Sequence, residues 1–274
     1  MGRKVPTLRP AVAAMMLVTA AALAAGPSAA LPPKPKKPPP APQVPKGYAA
    51  SVKAWHTATP GKTAPLDGSG RPRLALYALN TQDRVELDAE TARGGFTTES
   101  LERAARFLRD PRTGNSFPVE PKLLDTVYQL QVHFGAAELR VVSGYRTPKP
   151  GGHSNHGRGR ALDFVMPGVT DEDVAKFARE MGFVGVGTYP TSGFVHVDVR
   201  DRSYFWVDTS GPGRSRRERG VLGELAAKSD AAARERGERS IGPFVIGTNV
   251  DSALASRGHD GDPTSESDDE DEGM

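Results

Sequence analysis

The 274-residue chain contains no cysteine. That absence excludes a disulfide framework, a thiol nucleophile, a cysteine-ligated zinc and a lipid-modified N-terminal cysteine. Apolar residues are also scarce. They make up 37% of the chain, below the share usual for a globular protein, so part of the sequence is expected to lie outside any packed core. Nor is there a useful excess of cations. The formal charge is +3, but Arg3, Lys4 and Arg9 fall in the first 30 residues, which carry no acid, and the other 33 basic residues face 33 acidic ones. A nucleic-acid footprint needs a clustered basic face, so nucleic acid is not expected as a partner. No internal repeat is present.

What is present begins with a leader. The three early cations precede a mostly small, apolar run from Ala11 to Ala25, followed by Gly26, Pro27 and the small-residue site Ser28-Ala29-Ala30. A charged start, an apolar middle and a small-residue end are the parts of a signal peptide, expected here over residues 1–30. The apolar run falls short of the roughly 20 residues that cross a bilayer, so no stable membrane insertion is expected, a retained N-terminal anchor being the alternative. With no adjacent arginine pair, general secretion is the expected route, to an extracytoplasmic location, periplasmic or secreted. Residues 31–47 are rich in proline and lysine and form an extended, solvated linker. A folded domain is expected over 48–213. Residues 214–274 are a charged C-terminal extension, with a solvated Ala-rich helix before Ser240, a short apolar patch from Ile241 to Val250, and an acidic, disordered tail ending in Asp268–Glu272.

Within the domain, alternation and turn chemistry predict a strand over 73–79, a turn at 80–83 and a second strand to Leu87. Thr98 is the expected cap of a helix with Leu101, Ala104, Ala105 and Leu108 on one face. A longer helix starts at Pro121, buries Leu123, Leu124, Val127, Leu130 and Phe134, and stops at Gly135. Strands follow over 139–143 and 160–166. Thr170 caps the next helix with Asp173 in its first turn, and Gly182 ends it. Residues 185–199 read as strand, tight turn and strand. Strands and helices mix without regular alternation, so the expected class is α+β, a small antiparallel sheet with flanking helices.

Two of the six histidines keep unusual company. His156 precedes Asp163 by seven residues with small residues between, which lets a loop approach a strand closely. His196 and Asp198 lie two apart in a β-branched strand, so they share one face while Val195, Val197 and Val199 occupy the other. Two imidazoles and one carboxylate are a known catalytic zinc set with a fourth position for water. The same residues also fit a turn aspartate with solvent-facing histidines, and spacing does not separate the two readings.

The run Ser154-x-His156-x-x-Gly159-x-Ala161-x-Asp163 resembles the zinc signature of the LAS metallopeptidases, which include D-alanyl-D-alanine carboxypeptidases, D-Ala-D-Ala dipeptidases and murein endopeptidases. Four further segments resemble the murein endopeptidase K-like branch. They are Leu76–Asn80, Arg112-Thr113-Gly114, Val141–Arg146 with its Ser-Gly-Tyr-Arg ending, and Gly185-Val186-Gly187 through Asp198. The resemblance spans about residues 70–200. It implies the hedgehog/D-Ala-D-Ala peptidase-like zinc fold and one Zn2+ held by His156, Asp163 and His196. It also implies a secreted enzyme that hydrolyses peptide cross-links of peptidoglycan through a zinc-activated water.

Arg146 matches the arginine of the family motif and is expected to bind a substrate carboxylate or a developing oxyanion. Several LAS enzymes carry a Glu or His two or three residues before the third ligand, where this chain has Phe194 and Gly193. Asp198 is therefore either the general base or the group that orients His196. Tyr145, Tyr189 and His153 are candidate substrate contacts. The segment between Arg146 and Ser154 is shorter than usual in the branch. Rival expectations are a non-catalytic, zinc-containing wall-binding module and a carboxypeptidase or dipeptidase trimming stem peptides. The oligomeric state and the bond cut are left open.

Overall fold

In the computed structural model of the chain, residues 44–214, 217–218 and 222–240 are described. The expected signal peptide, most of the linker, the apolar patch at 241–250 and the acidic tail lie outside them. Thr97 opens helix α2 (Thr98–Phe107), its Oγ1 accepting from the Ser100 amide at 3.2 Å, one residue before the expected cap. Helix α3 (Pro121–Phe134) starts on its proline and ends at Gly135, whose φ of 59° is the left-handed conformation that closes helices. Helix α4 (Asp171–Glu180) is capped by Thr170, whose Oγ1 accepts from the Asp173 amide at 3.1 Å.

These helices cover one face of an eight-stranded sheet. Its strands are β1 (Leu74–Ala78), β2 (Arg84–Leu87), β3 (Leu139–Ser143), β4 (Ala161–Val165), β5 (Val184–Tyr189), β6 (Phe194–Val199), β7 (Tyr204–Asp208) and β8 (Arg217–Glu218), in the spatial order β2-β1-β3-β4-β6-β5-β7-β8. Alternation along β4 and β6 sends Leu162, Phe164, Val195 and Val197 into a core shared with Leu123 and Val127 of α3 and Val174 of α4. The opposite face carries Asp163, His196 and Asp198.

The α+β class stands, but the sheet is mixed rather than purely antiparallel: β1 pairs parallel with β3, and β5 with β7. Between β1 and β3 lie the antiparallel strand β2 and two helices, after which β3 runs in the direction of β1. Strand β7 adds to the free edge of β5 after β6 has reversed the chain on the other edge.

Two helices depart from expectation. Helix α1 (Tyr48–His56) buries none of its residues. It is held by polar contacts, Tyr48 Oη donating to Ser192 O at 2.8 Å and Arg140 Nη1 to the carbonyls of Ala54 and Trp55 at 2.7 and 2.8 Å. Helix α5 (Gly223–Glu235), expected to be a solvated helix, buries Ala226, Ser229, Asp230 and Ala233. Asp230 accepts from the amides of Phe183 and Ser203 at 2.7 and 2.9 Å, so this helix fixes the residues just ahead of β5 and β7. Its alanines read as weak core formers, whereas they mark a close approach to the domain. Among the described residues no helix is long and apolar enough to cross a membrane.

Candidate metal centre

Antiparallel pairing of β4 with β6 sets Asp163 opposite His196 and Ala161 opposite Asp198. His156 reaches the same point from a 3-10 turn over Asn155–Arg158, begun by Ser154, whose Oγ accepts from the His156 amide, and closed by Gly159 at φ 66°. A side chain at Gly159 would strike the Pro118 carbonyl, so only glycine permits this turn to lie against the 117–118 segment.

All three side chains are buried, at 0% exposure for His156, 2% for Asp163 and 1% for His196. His156 Nδ1 lies 2.6 Å from the carbonyl of Gly144. A carbonyl only accepts, so Nδ1 carries the proton and Nε2 offers a lone pair. His196 Nε2 lies 2.8 Å from Asp198 Oδ2, and with the proton held on that nitrogen Nδ1 offers the lone pair. These two nitrogens and Asp163 Oδ1 form a triangle with edges of 3.2 Å (His156 to His196), 2.8 Å (His196 to Asp163) and 3.4 Å (His156 to Asp163).

Three potential ligand atoms therefore converge, and a cation placed among them would be bound by all three. Donors about 2.0–2.2 Å from a tetrahedral zinc stand roughly 3.3 Å apart, so the triangle fits that ion. Among the described residues this is the one His/Asp/Glu group with metal-ligand spacing.

The electrostatics agree. Burial and the nearby Arg146 charge lower the pKa of His156, which keeps the ring neutral and its lone pair available. Burial alone raises the pKa of Asp163, but the facing Arg146 guanidinium helps to hold the carboxyl well below its usual range. Asp198 is likewise ionised despite burial, because Arg200 faces it.

The other sequence-selected residues fall at different distances from this centre. Arg146 pairs through Nη2 with Asp163 Oδ2 and donates from Nε to Ser143 Oγ at 2.9 Å, with about a third of its side chain exposed. Tyr145 stacks on the partly exposed Phe117, centroids 5.6 Å apart and planes within 11°. Tyr189 stacks on Phe194 at 4.4 Å and accepts from Trp206 Nε1 at 3.2 Å. Trp206 in turn lies 5.0 Å from the His196 ring, so Tyr189 meets the centre through an aromatic relay. His153 is exposed, ahead of the 3-10 turn.

Three residues escaped the sequence reading. Asn155 and Arg200 both bind Asp198, and Trp206 covers His196. Arg200 was signalled by continuing the every-second-residue pattern of His196 and Asp198. Trp206 was signalled as well, by the aromatic and branched run Tyr204-Phe205-Trp206-Val207 between turn-forming residues.

Residues 68–204 match the family model described as peptidoglycan L,D-endopeptidase MepK. A Haemophilus influenzae protein named probable peptidoglycan L,D-endopeptidase MepK is 30% identical over 154 residues, covering 51% of this chain and 82% of that protein. The peptidoglycan L,D-endopeptidase MepK of Escherichia coli K12 is 33% identical over 142 residues, covering 47% of this chain and 78% of the relative. No solved structure matches the chain significantly.

Proposed function

Because the chain belongs to the peptidoglycan L,D-endopeptidase MepK family, we propose that it is a zinc-dependent peptidase hydrolysing peptide cross-links of peptidoglycan. The observation that carries the zinc assignment is the triangle of His156 Nε2, Asp163 Oδ1 and His196 Nδ1, three potential ligand atoms within 3.4 Å of one another. When bound there, zinc supplies Lewis acidity, polarising a carbonyl and lowering the pKa of water toward about 7.

The chain's own groups do the rest. Arg146, partly exposed beside the ligands, holds a substrate carboxylate or the oxygen that gains charge as the amide is attacked. On one side Trp206, Phe194 and Tyr189 form an aromatic wall that keeps water from His196. Tyr145, adjacent to Arg146 and stacked on Phe117, presents a second apolar surface for substrate. Of the two roles open to Asp198, the orienting one is better supported, since its oxygens already accept from His196, Arg200 and Asn155. Action on peptidoglycan implies an extracytoplasmic location, to which the leader at residues 1–30 would direct the chain.

The test is metal analysis with muropeptide profiling. The purified protein is expected to hold about one zinc and to release soluble muropeptides from sacculi, and His156→Ala to do neither. A zinc-loaded wild type that leaves sacculi and cross-linked peptides intact would sink the catalytic reading. One observation favours the rival wall-binding module: neither Gly193 nor Phe194 offers a base, and Asp198 is occupied. Retention on sacculi without turnover would select that rival. Mass spectrometry of products separates cross-link cleavage from trimming of free stems.

A further inference from the structure

His196 has two ring nitrogens, and only Nδ1 faces the other ligands. Asp198 is placed to accept a proton held on Nε2, and what holds Asp198 is a set of donors behind it. Asp198 Oδ1 accepts from Arg200 Nε at 2.6 Å and from Asn155 Nδ2 at 3.1 Å. Its Oδ2 accepts from Arg200 Nη2 at 2.6 Å and from His196 Nε2 at 2.8 Å. Four donors thus occupy the lone-pair directions of two oxygens. A guanidinium has no acceptor to offer in exchange, and its planar fork fixes the carboxylate plane as a single ammonium does not.

The fork is itself anchored. The Arg200 amide donates to Phe183 O at 3.0 Å, and the guanidinium lies 5.9 Å from the Trp206 ring centroid and 5.7 Å from that of Tyr204. Both partners of the pair are buried, Asp198 at 0% and Arg200 at 6% exposure. Gly185, opposite Asp198 in β5, leaves the space: a Cβ there would run into Asp198 Oδ2 and Arg200 Nε.

We propose that Arg200 is the positioning residue of the cation site: its two-point grip on Asp198, completed by Asn155, commits His196 to the Nε2–H form and so presents Nδ1 to the metal. The inference concerns metal affinity and the proton on His196, so it stands or falls independently of the substrate proposed above.

Arg200→Lys keeps the charge and loses the fork. Two readouts apply to the full chain. Zinc affinity, measured by competition with a chelator, is expected to fall about 10–100-fold, the usual effect of disturbing a group behind a metal ligand. Histidine nitrogen-15 spectra of the metal-free protein are expected to show His196 passing from one Nε2–H form to a mixture of both tautomers. A folded Arg200→Lys protein with wild-type zinc affinity and an unchanged His196 spectrum overturns the proposal. A merely structural ion pair would lower stability without moving that spectrum. If the buried substitution prevents folding, Asn155→Ala decides instead, since it removes one donor from the partly exposed turn and leaves both charges paired. A several-fold loss of zinc affinity is expected, and wild-type affinity in that variant overturns the proposal equally.

Discussion

How near Trp206 comes to His196 is decided by a missing side chain. Gly187 pairs with His196 on one side and with Trp206 on the other, and a Cβ on it would enter the indole. Trp206 is 1% exposed and bonded through Nε1 to Tyr189, so it has nowhere to retreat without breaking the relay. Gly187→Ala is therefore expected to destabilise the fold by about 1–3 kcal/mol, the range for overpacking a filled interior. Because the displaced ring leans on a ligand, zinc affinity should fall as well. Urea unfolding and chelator competition on the same preparation check both, and normal values of each would mean that the indole relocates freely.

At the scale of elements, the loops that frame the centre are joined by one buried carboxylate. Asp110, just past α2, accepts from the Arg112 amide at 2.9 Å and from the Thr147 amide at 3.0 Å. It thereby ties the turn leading to Phe117 to the segment carrying Tyr145 and Arg146. Burial pushes its pKa up, but the amides of Thr147 and Arg112 win and bring it down to about 2. An aspartate with a folded pKa below its unfolded value of about 3.9 adds stability above that value and loses it as the pH falls toward 2. The difference amounts to about 2–3 kcal/mol. Asp110→Asn should lose about that much at neutral pH and flatten the acid limb between roughly pH 4 and 2, as read from urea midpoints across that range; an unchanged acid limb would contradict the assignment.

The same scale shows what was legible beforehand. Elements set by local signals came through: the proline start and glycine stop of α3, the threonine cap of α4, β3 at its observed bounds, and the turn between β5 and β6. The three proposed ligands were reached through the resemblance to the family signature, since spacing alone fitted solvent-facing histidines equally well and Asp163 meets His196 only through the β4–β6 pairing. Parallel pairing of β1 with β3 and of β5 with β7 was not, since strand order depends on contacts distant in sequence. Nor was α1, whose short apolar stripe of Tyr48, Val52 and Trp55 is only half-buried. Arg200 reaches Asp198 by the two-residue alternation continued from β6, whereas Asn155 reaches it only once β4 and β6 are side by side.

Across the whole molecule, the charged C-terminal segment is bound to the catalytic sheet through a buried cation. Lys122, in the first turn of α3, is 0% exposed. Its ammonium donates to the carbonyls of Arg239 at 2.5 Å and Ser240 at 3.2 Å and lies 4.9 Å from the Phe183 ring. Burial lowers its pKa to about 8, even though Glu238, Asp230, Glu120 and Asp201 all act to raise it. A lysine with a folded pKa below its unfolded value of about 10.4 is bound by fewer protons when folded, so stability rises with pH between about 8 and 10.4. The full rise for this group is about 3 kcal/mol. Its attachment matters beyond the tail: Phe183, held by Asp230 of α5, supplies the carbonyl that receives the Arg200 amide. Lys122→Met should abolish the alkaline rise and release residues 239–240, giving faster tryptic cleavage after Arg239. Thermal unfolding of both proteins from pH 7 to 10.5 measures the first effect and timed digestion the second. If the rise persists in the variant, another group carries it, and Lys122 is not the cation that couples the C-terminal segment to the sheet.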